Sequence, residues 1–163
     1  MKIKGSLAHY LSNIQKNMMT VLDKTDLTDY EITKDTITKY LGSDEAIMLP
    51  DSVDSVRIRK IGPRAFMDNG LKSVRIPEGV IVIGENAFAN NIIDDLILPD
   101  SLRIIGGHAF SENRLVRIII PNKIEIIADY SCSRNELTKV EFPKKLIEIR
   151  TGAFYNNNLR ELV

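Results

Sequence analysis

Along most of the chain, apolar and polar residues alternate in short runs that return at a fixed interval. In residues 71–77, LKSVRIP, the side chains of Val74 and Ile76 alternate with Ser73 and Arg75, the period-two pattern of a strand with one buried face. Leu96 and Leu98, Ile118 and Ile120, and Val140 and Phe142 occupy the equivalent positions. A proline closes each run, at 77, 99, 121 and 143, so every step is 22 residues. Proline suits a strand end because it lacks the amide that a ladder needs and fixes its own φ. A second apolar run supplies Val80 and Ile83, Leu102 and Ile105, Ile124 and Ile127, and Leu146 and Ile149 to the interior. Gly84 and Gly106 predict a sharp bend, and an Ala-Phe pair then adds one small and one large core residue.

Two more columns keep this register. Asparagines fall at Asn69, Asn91, Asn113, Asn135 and Asn157, while Phe66, Phe88, Phe110 and Phe154 share a column with Cys132. One unit cannot bury its apolar side chains alone, whereas stacked units bury all of them. The predicted fold is therefore a mainly β repeat solenoid, a right-handed coil of parallel strands with about five coils over residues 45–163. A looser first unit, 47–69, carries five extra residues between Pro50 and Gly62. The asparagines read as structural, each amide offering two donors and an acceptor to backbone groups left unpaired at a turn, with identical amides stacked as a ladder. The sequence stops in mid-unit at Val163, which predicts a truncated array with an uncovered edge strand, open to edge-to-edge homodimerisation.

Residues 1–44 form a separate lead-in. Leu7, Tyr10, Leu11, Ile14, Met18, Val21 and Leu22 recur at helical spacing behind Ser6 as N-cap, predicting a short helix over 6–23. Its roles to be weighed are a cap on the first coil, a partner-binding helix and the tail of a preceding domain. Alternation in residues 30–33 and 36–40 predicts a hairpin that begins the sheet.

The unit LxxVxIPxxVxxIGxxAFxxN resembles the BspA-like class of leucine-rich repeats, found in many bacterial surface proteins and some protozoan ones, over residues 37–163. The opening Ile37-Thr38-Lys39-Tyr40-Leu41-Gly42, leading to Met48-Leu49-Pro50, also looks like the entry to such arrays. The resemblance implies a curved solenoid used for adhesion or protein–protein recognition, with no catalytic residues to carry over. The departures fall late in the array: Ala128 and Arg150 replace the glycine, and Ser131-Cys132 replaces Ala-Phe. The coil of Cys132 should be the least well filled, so a local kink or an inward turn of Tyr130 is expected there.

Composition narrows the functional classes. Twenty-two basic residues balance twenty-two acidic ones, leaving no overall field to gather nucleic acid or an anionic membrane. Cys132 is the single cysteine, and with only His9 and His108 beside it no closed zinc site can form. No apolar run is long enough for membrane insertion, and no export signal is visible after Lys2 and Lys4. Taken alone, that favours the cytoplasm if Met1 is the native start; the resemblance favours the cell surface or secretion.

No set of nucleophile, base and orienting group marks an enzyme, and no cofactor or metal is implied. Asp94 and Asp95 are strand neighbours and face opposite ways, Gly106-Gly107 lacks the Lys-Ser/Thr of a phosphate loop, and His108 sits at a variable turn position. The candidate ligand surface is the outward strand face, Asp95, Ile97, Arg117, Ile119, Lys139 and Glu141, with two isoleucines as apolar centre and charges as rim. On the plainer reading, Asp95 with Arg117 and Lys139 with Glu161 are lateral charge pairs of small energetic weight. The partner is then another protein, of a host or a cell surface; the alternatives are a cytoplasmic interaction scaffold and a spacer without a ligand.

Overall fold

The computed structural model describes residues 27–162, and these form a parallel-strand solenoid. A 3-10 turn, Leu27–Asp29, leads into an antiparallel hairpin of β1 (Tyr30–Thr33) and β2 (Thr36–Tyr40). The helix expected over 6–23 lies outside the described residues. The first coil holds β3 (Ala46–Met48), a small antiparallel hairpin of β4 (Ser52–Val53) and β5 (Val56–Arg57), and β6 (Lys60–Ile61). That hairpin accounts for the five extra residues, and its tip is turned by Asp54 and Ser55 at φ 49° and 66°.

Each later coil contributes two short strands, one to each of two faces. The first face receives β7 (Ser73–Arg75), β9 (Asp95–Ile97), β11 (Arg117–Ile119), β13 (Lys139–Glu141) and β15 (Glu161–Leu162). The second receives β8 (Val82–Ile83), β10 (Ile104–Ile105), β12 (Ile126–Ile127) and β14 (Glu148–Ile149). Pairing between coils is parallel and in the 22-residue register, with Val74 beside Leu96 and Ile118 beside Val140.

The core follows from this register. Phe66, Phe88 and Phe110 are fully buried and stack with ring centroids 4.8 and 5.5 Å apart. The hairpin closes the N-terminal end of the column, with Tyr40 stacked on Phe66 at 5.4 Å and Tyr30 tilted against both rings. Burial, with the Tyr40 charge second, pushes the Tyr30 hydroxyl well above its ordinary value.

Glycine at 84 and 106 does a different job from the one its bend suggests. Neither has positive φ; a Cβ on Gly84 would stand 2.6 Å from Pro63 N, and one on Gly106 2.7 Å from Glu85 N. The requirement is close approach of coil to coil. The left-handed step falls two residues later, at Arg64, Asn86, His108, Tyr130 and Gly152, with φ between 53° and 60°. For a non-glycine side chain that backbone costs about 1–2 kcal/mol per residue, so stacking with neighbours must offset it.

The stacking is uneven. Neither β9 with β11 nor β10 with β12 is paired, so both strand ladders stop between coils 93–113 and 115–135. The turn side stays joined, through Phe110 N to Ser131 O at 2.8 Å and His108 N to Asp129 O at 3.0 Å. The kink expected near Cys132 is thus an interruption on entry to its coil. The inward turn of Tyr130 is not found. Tyr130 is half-buried along the turn ridge, stacked on His108 at 5.1 Å and 13°, with its ring over Gly152. Glycine at 152 makes that placement possible, since a Cβ there would overlap the tyrosine ring. Where the core column loses an aromatic at Cys132, an aromatic stack appears on the surface beside it.

Candidate functional site

The first strand face presents the residues singled out from the sequence, in two groups rather than one. Asp95 and Ile97 lie on β9 beside Ser73 and Arg75, whereas Arg117, Ile119, Lys139 and Glu141 share the ladder of β11 and β13. The expected single continuous surface is divided by the missing pairing between β9 and β11. Ile97 is 49% exposed and Ile119 63%, large values for isoleucines in the middle of an array. Their outward direction follows from strand alternation, since Leu96 and Ile118 next to them point to the core.

The charges around them pair differently from expectation. Asp95 accepts from Arg75 Nη2 and Ser73 Oγ, each at 2.9 Å, and not from Arg117. Lys139 pairs with Glu141 on its own strand at 3.2 Å. These groups are about half exposed, so each pair adds at most about 1 kcal/mol and mainly orients its side chains. Asp95 is consequently engaged by the preceding coil, and among the described residues Arg117 makes no ion pair.

The second face carries a row the sequence reading passed over. Val82, Ile104, Ile126 and Glu148 occupy one outward column, with Ile104 54% and Ile126 39% exposed. The signal was present in the doublets Val82-Ile83, Ile104-Ile105 and Ile126-Ile127. On a two-residue strand only one member can face the core, so the other must face out. A cleft of about 240 Å³ also lies beside the first-coil hairpin, lined by Asp51, Arg57, Ile58, Arg59, Glu78 and Gly79. Its Glu78 carboxylate is already engaged by the amides of Asp100 and Ser101, at 2.8 and 3.2 Å.

The asparagine column is buried and turned to the backbone. Asn91, Asn113 and Asn135 are each 7% exposed. Asn113 Oδ1 accepts from Ile93 N at 3.0 Å, which closes its own coil into a ring. Its Nδ2 donates to Phe88 O of the preceding coil at 2.9 Å, and to Phe110 O and Ser111 O within its own. Asn91, Asn135 and Asn157 repeat the scheme. Among the described residues every side-chain hydrogen bond of this column runs to the backbone, and none runs from one of its amides to the next. Asn69 is half-buried, and its Nδ2 reaches only Met67 O at 2.7 Å.

Cys132 is buried, and desolvation pushes its thiol up to about 12, with the adjacent Ser131 hydroxyl opposing the shift. Burial thus favours the neutral thiol over the thiolate. Among the described residues no group of three or more His, Cys, Asp or Glu side chains is placed to hold a metal ion, and no helix is long and apolar enough to cross a membrane.

A family model for the BspA type leucine rich repeat region matches residues 45–163 in six copies. The chain belongs to this family. Among solved structures, a leucine-rich repeat protein of T. pallidum is similar at 30% identity and a TM-score of 0.75, over 85% of this chain and 70% of that one. A leucine-rich cell surface protein of Faecalibacterium prausnitzii is similar at 24% identity and a TM-score of 0.48, over 82% of this chain and 52% of that one. No curated protein matches the sequence. BspA-type membership accounts for the repeated proline, Ile-Gly, Ala-Phe and asparagine columns, and bacterial leucine-rich repeat proteins are the structural neighbours of the coil.

Proposed function

We propose that the chain is a recognition module that binds another protein through its first strand face, with Ile97 and Ile119 as the apolar centre. The observation that carries this reading is the exposure of two isoleucines on adjacent coils of one face, with Asp95, Arg117, Lys139 and Glu141 as a charged rim. Apolar side chains ringed by charge are what a protein interface buries, and repeat arrays offer them on extended faces. BspA-type membership and bacterial leucine-rich repeat neighbours support a protein partner. The finer form of the proposal is adhesion, with a host or cell-surface protein as the partner.

A photoreactive amino acid placed at position 97 or 119, and in parallel at 104 or 126, tests which face is used. Cross-links confined to 97 and 119, followed by a loss of affinity of about tenfold or more for the purified cross-linked protein in Ile97→Asp and Ile119→Asp, are the expected result. Cross-links confined to 104 and 126, or unchanged affinity in both variants, would remove the first face from consideration.

A further inference from the structure

We infer that the boundary between coils 93–113 and 115–135 is a flexible joint in the array, held open by Ala128. The other full boundaries each carry the same four backbone hydrogen bonds. Between 71–91 and 93–113 these are Ile76 N to Ile97 O at 3.1 Å, Asp94 N to Lys72 O at 3.1 Å, Arg103 N to Ile81 O at 3.0 Å and Gly106 N to Ile83 O at 2.9 Å. Between 115–135 and 137–157 they are Ile120 to Glu141, Thr138 to Val116, Ile147 to Glu125 and Arg150 to Ile127, at 2.8 to 3.1 Å. The first coil repeats them through Leu49, Lys72, Ile81 and Gly84. At the inferred joint the equivalent donors are Leu98, Val116, Glu125 and Ala128, and none makes its bond.

A second observation agrees. Val74, Ile118 and Val140 are at most 5% exposed, and Ile76 and Ile120 at most 4%, yet Leu96 and Leu98 in the same columns are only partly buried. Phe142, near the C-terminal end of the array, is also partly buried, whereas Leu96 and Leu98 lie in its middle, beside the boundary where the strands part. The opposite side is held, by the Phe110–Ser131 and His108–Asp129 backbone bonds, the His108–Tyr130 stack and the Glu112–Arg134 ion pair at 2.7 Å. A boundary fastened along one edge and free along two is a hinge, with its axis on the turn ridge.

The cause lies in the glycine column. Gly84 and Gly106 pack so near the preceding coil that a Cβ would stand 2.6 to 2.7 Å from its backbone. Ala128 brings a Cβ to that place against Gly106. Arg150 stacks on Ala128 rather than on a glycine, and its bond to Ile127 O is intact at 2.9 Å. Ala128 is the first residue of the column to carry a Cβ, and the ladder bonds are missing at its boundary with the preceding coil. In a repeat array, stability is close to a sum of unit and nearest-neighbour contributions, so one weak boundary divides the molecule into two cooperative blocks.

Residue-resolved amide hydrogen exchange on the whole chain tests the joint. Leu98, Val116, Glu125 and Ala128 are expected to exchange about tenfold or more faster than Ile76, Asp94, Arg103 and Gly106 and than Ile120, Thr138, Ile147 and Arg150. Ala128→Gly, which returns the position to the residue used at 84 and 106, is expected to slow all four toward their counterparts. Equal protection across the three boundaries would overturn the joint, and fast exchange that persists unchanged in Ala128→Gly would overturn the assignment to Ala128.

Discussion

Removing one buried amide has consequences that can be followed atom by atom. In Asn113→Ala, the carbonyls that Asn113 serves do not lose their last partners. Phe88 O keeps Asn91 Nδ2, Phe110 O keeps Asn135 Nδ2, and Ser111 O keeps Asn90 N. Ile93 N loses its Oδ1 acceptor and sits at a buried residue with no replacement. One stranded buried donor costs about 1–3 kcal/mol, and the lost carbonyl bonds bring the total to about 2–4 kcal/mol. Asn69→Ala, at a half-buried position with a single side-chain donation, is expected to cost less than about 1 kcal/mol. Asn113→Asp keeps the shape but points a second oxygen at three carbonyls, so it should be worse than alanine at pH 7. Such a carboxyl has its folded value raised above the unfolded one of about 3.9, so the penalty relative to wild type grows as pH rises above that value and shrinks below it. Urea unfolding followed by far-ultraviolet circular dichroism measures all three. Equal midpoints for Asn113→Ala and Asn69→Ala, or an aspartate milder than alanine at neutral pH, would refute the reasoning.

Two further outcomes follow from glycine packing and thiol burial. Gly106→Ala should lose about 1–3 kcal/mol, because its Cβ meets backbone that cannot rotate away, while Gly70→Ala, at φ 67° with open space around it, should lose less; thermal melts that rank the pair the other way would contradict the close-approach argument. Cys132 should resist alkylation at pH 8 in the folded chain and react once urea unfolds it. Because its folded value is raised from 9.0 to about 12, its share of stability is intact below pH 9 and is lost as pH climbs through that window. An alkaline titration in which Cys132→Ala removes none of the loss between pH 9 and 12 would count against it.

The periodic part of the fold was legible because identical residues must meet when coils stack. Prolines, phenylalanines and asparagines at one spacing leave little choice of register, and Tyr30 to Tyr40 alternated clearly enough to be read as a hairpin. What escaped notice depended on relations between coils. That Asp95 turns to Arg75 and Lys139 to Glu141 is decided by reach among several near neighbours, which a column of letters does not rank. Ala128 was noticed as a departure, yet its meaning depends on the distance from Gly84 to Pro63, which only coordinates supply. Cys132 drew attention to the correct coil for a different reason, and Tyr130 went to the ridge because Gly152 left room beneath it. The exposed row of Ile104 and Ile126 is readable from the doublets, of which the sequence pattern singles out only the inward members, Ile105 and Ile127.

The direction of the asparagine bonds gives the array a polarity. The side-chain amide that ends each coil fastens the first residue of that coil and reaches back to its predecessor, while the forward bonds are left to the backbone. Each side-chain latch therefore draws only on its own coil and the one before it, so the latch of one coil needs nothing that follows it in the chain.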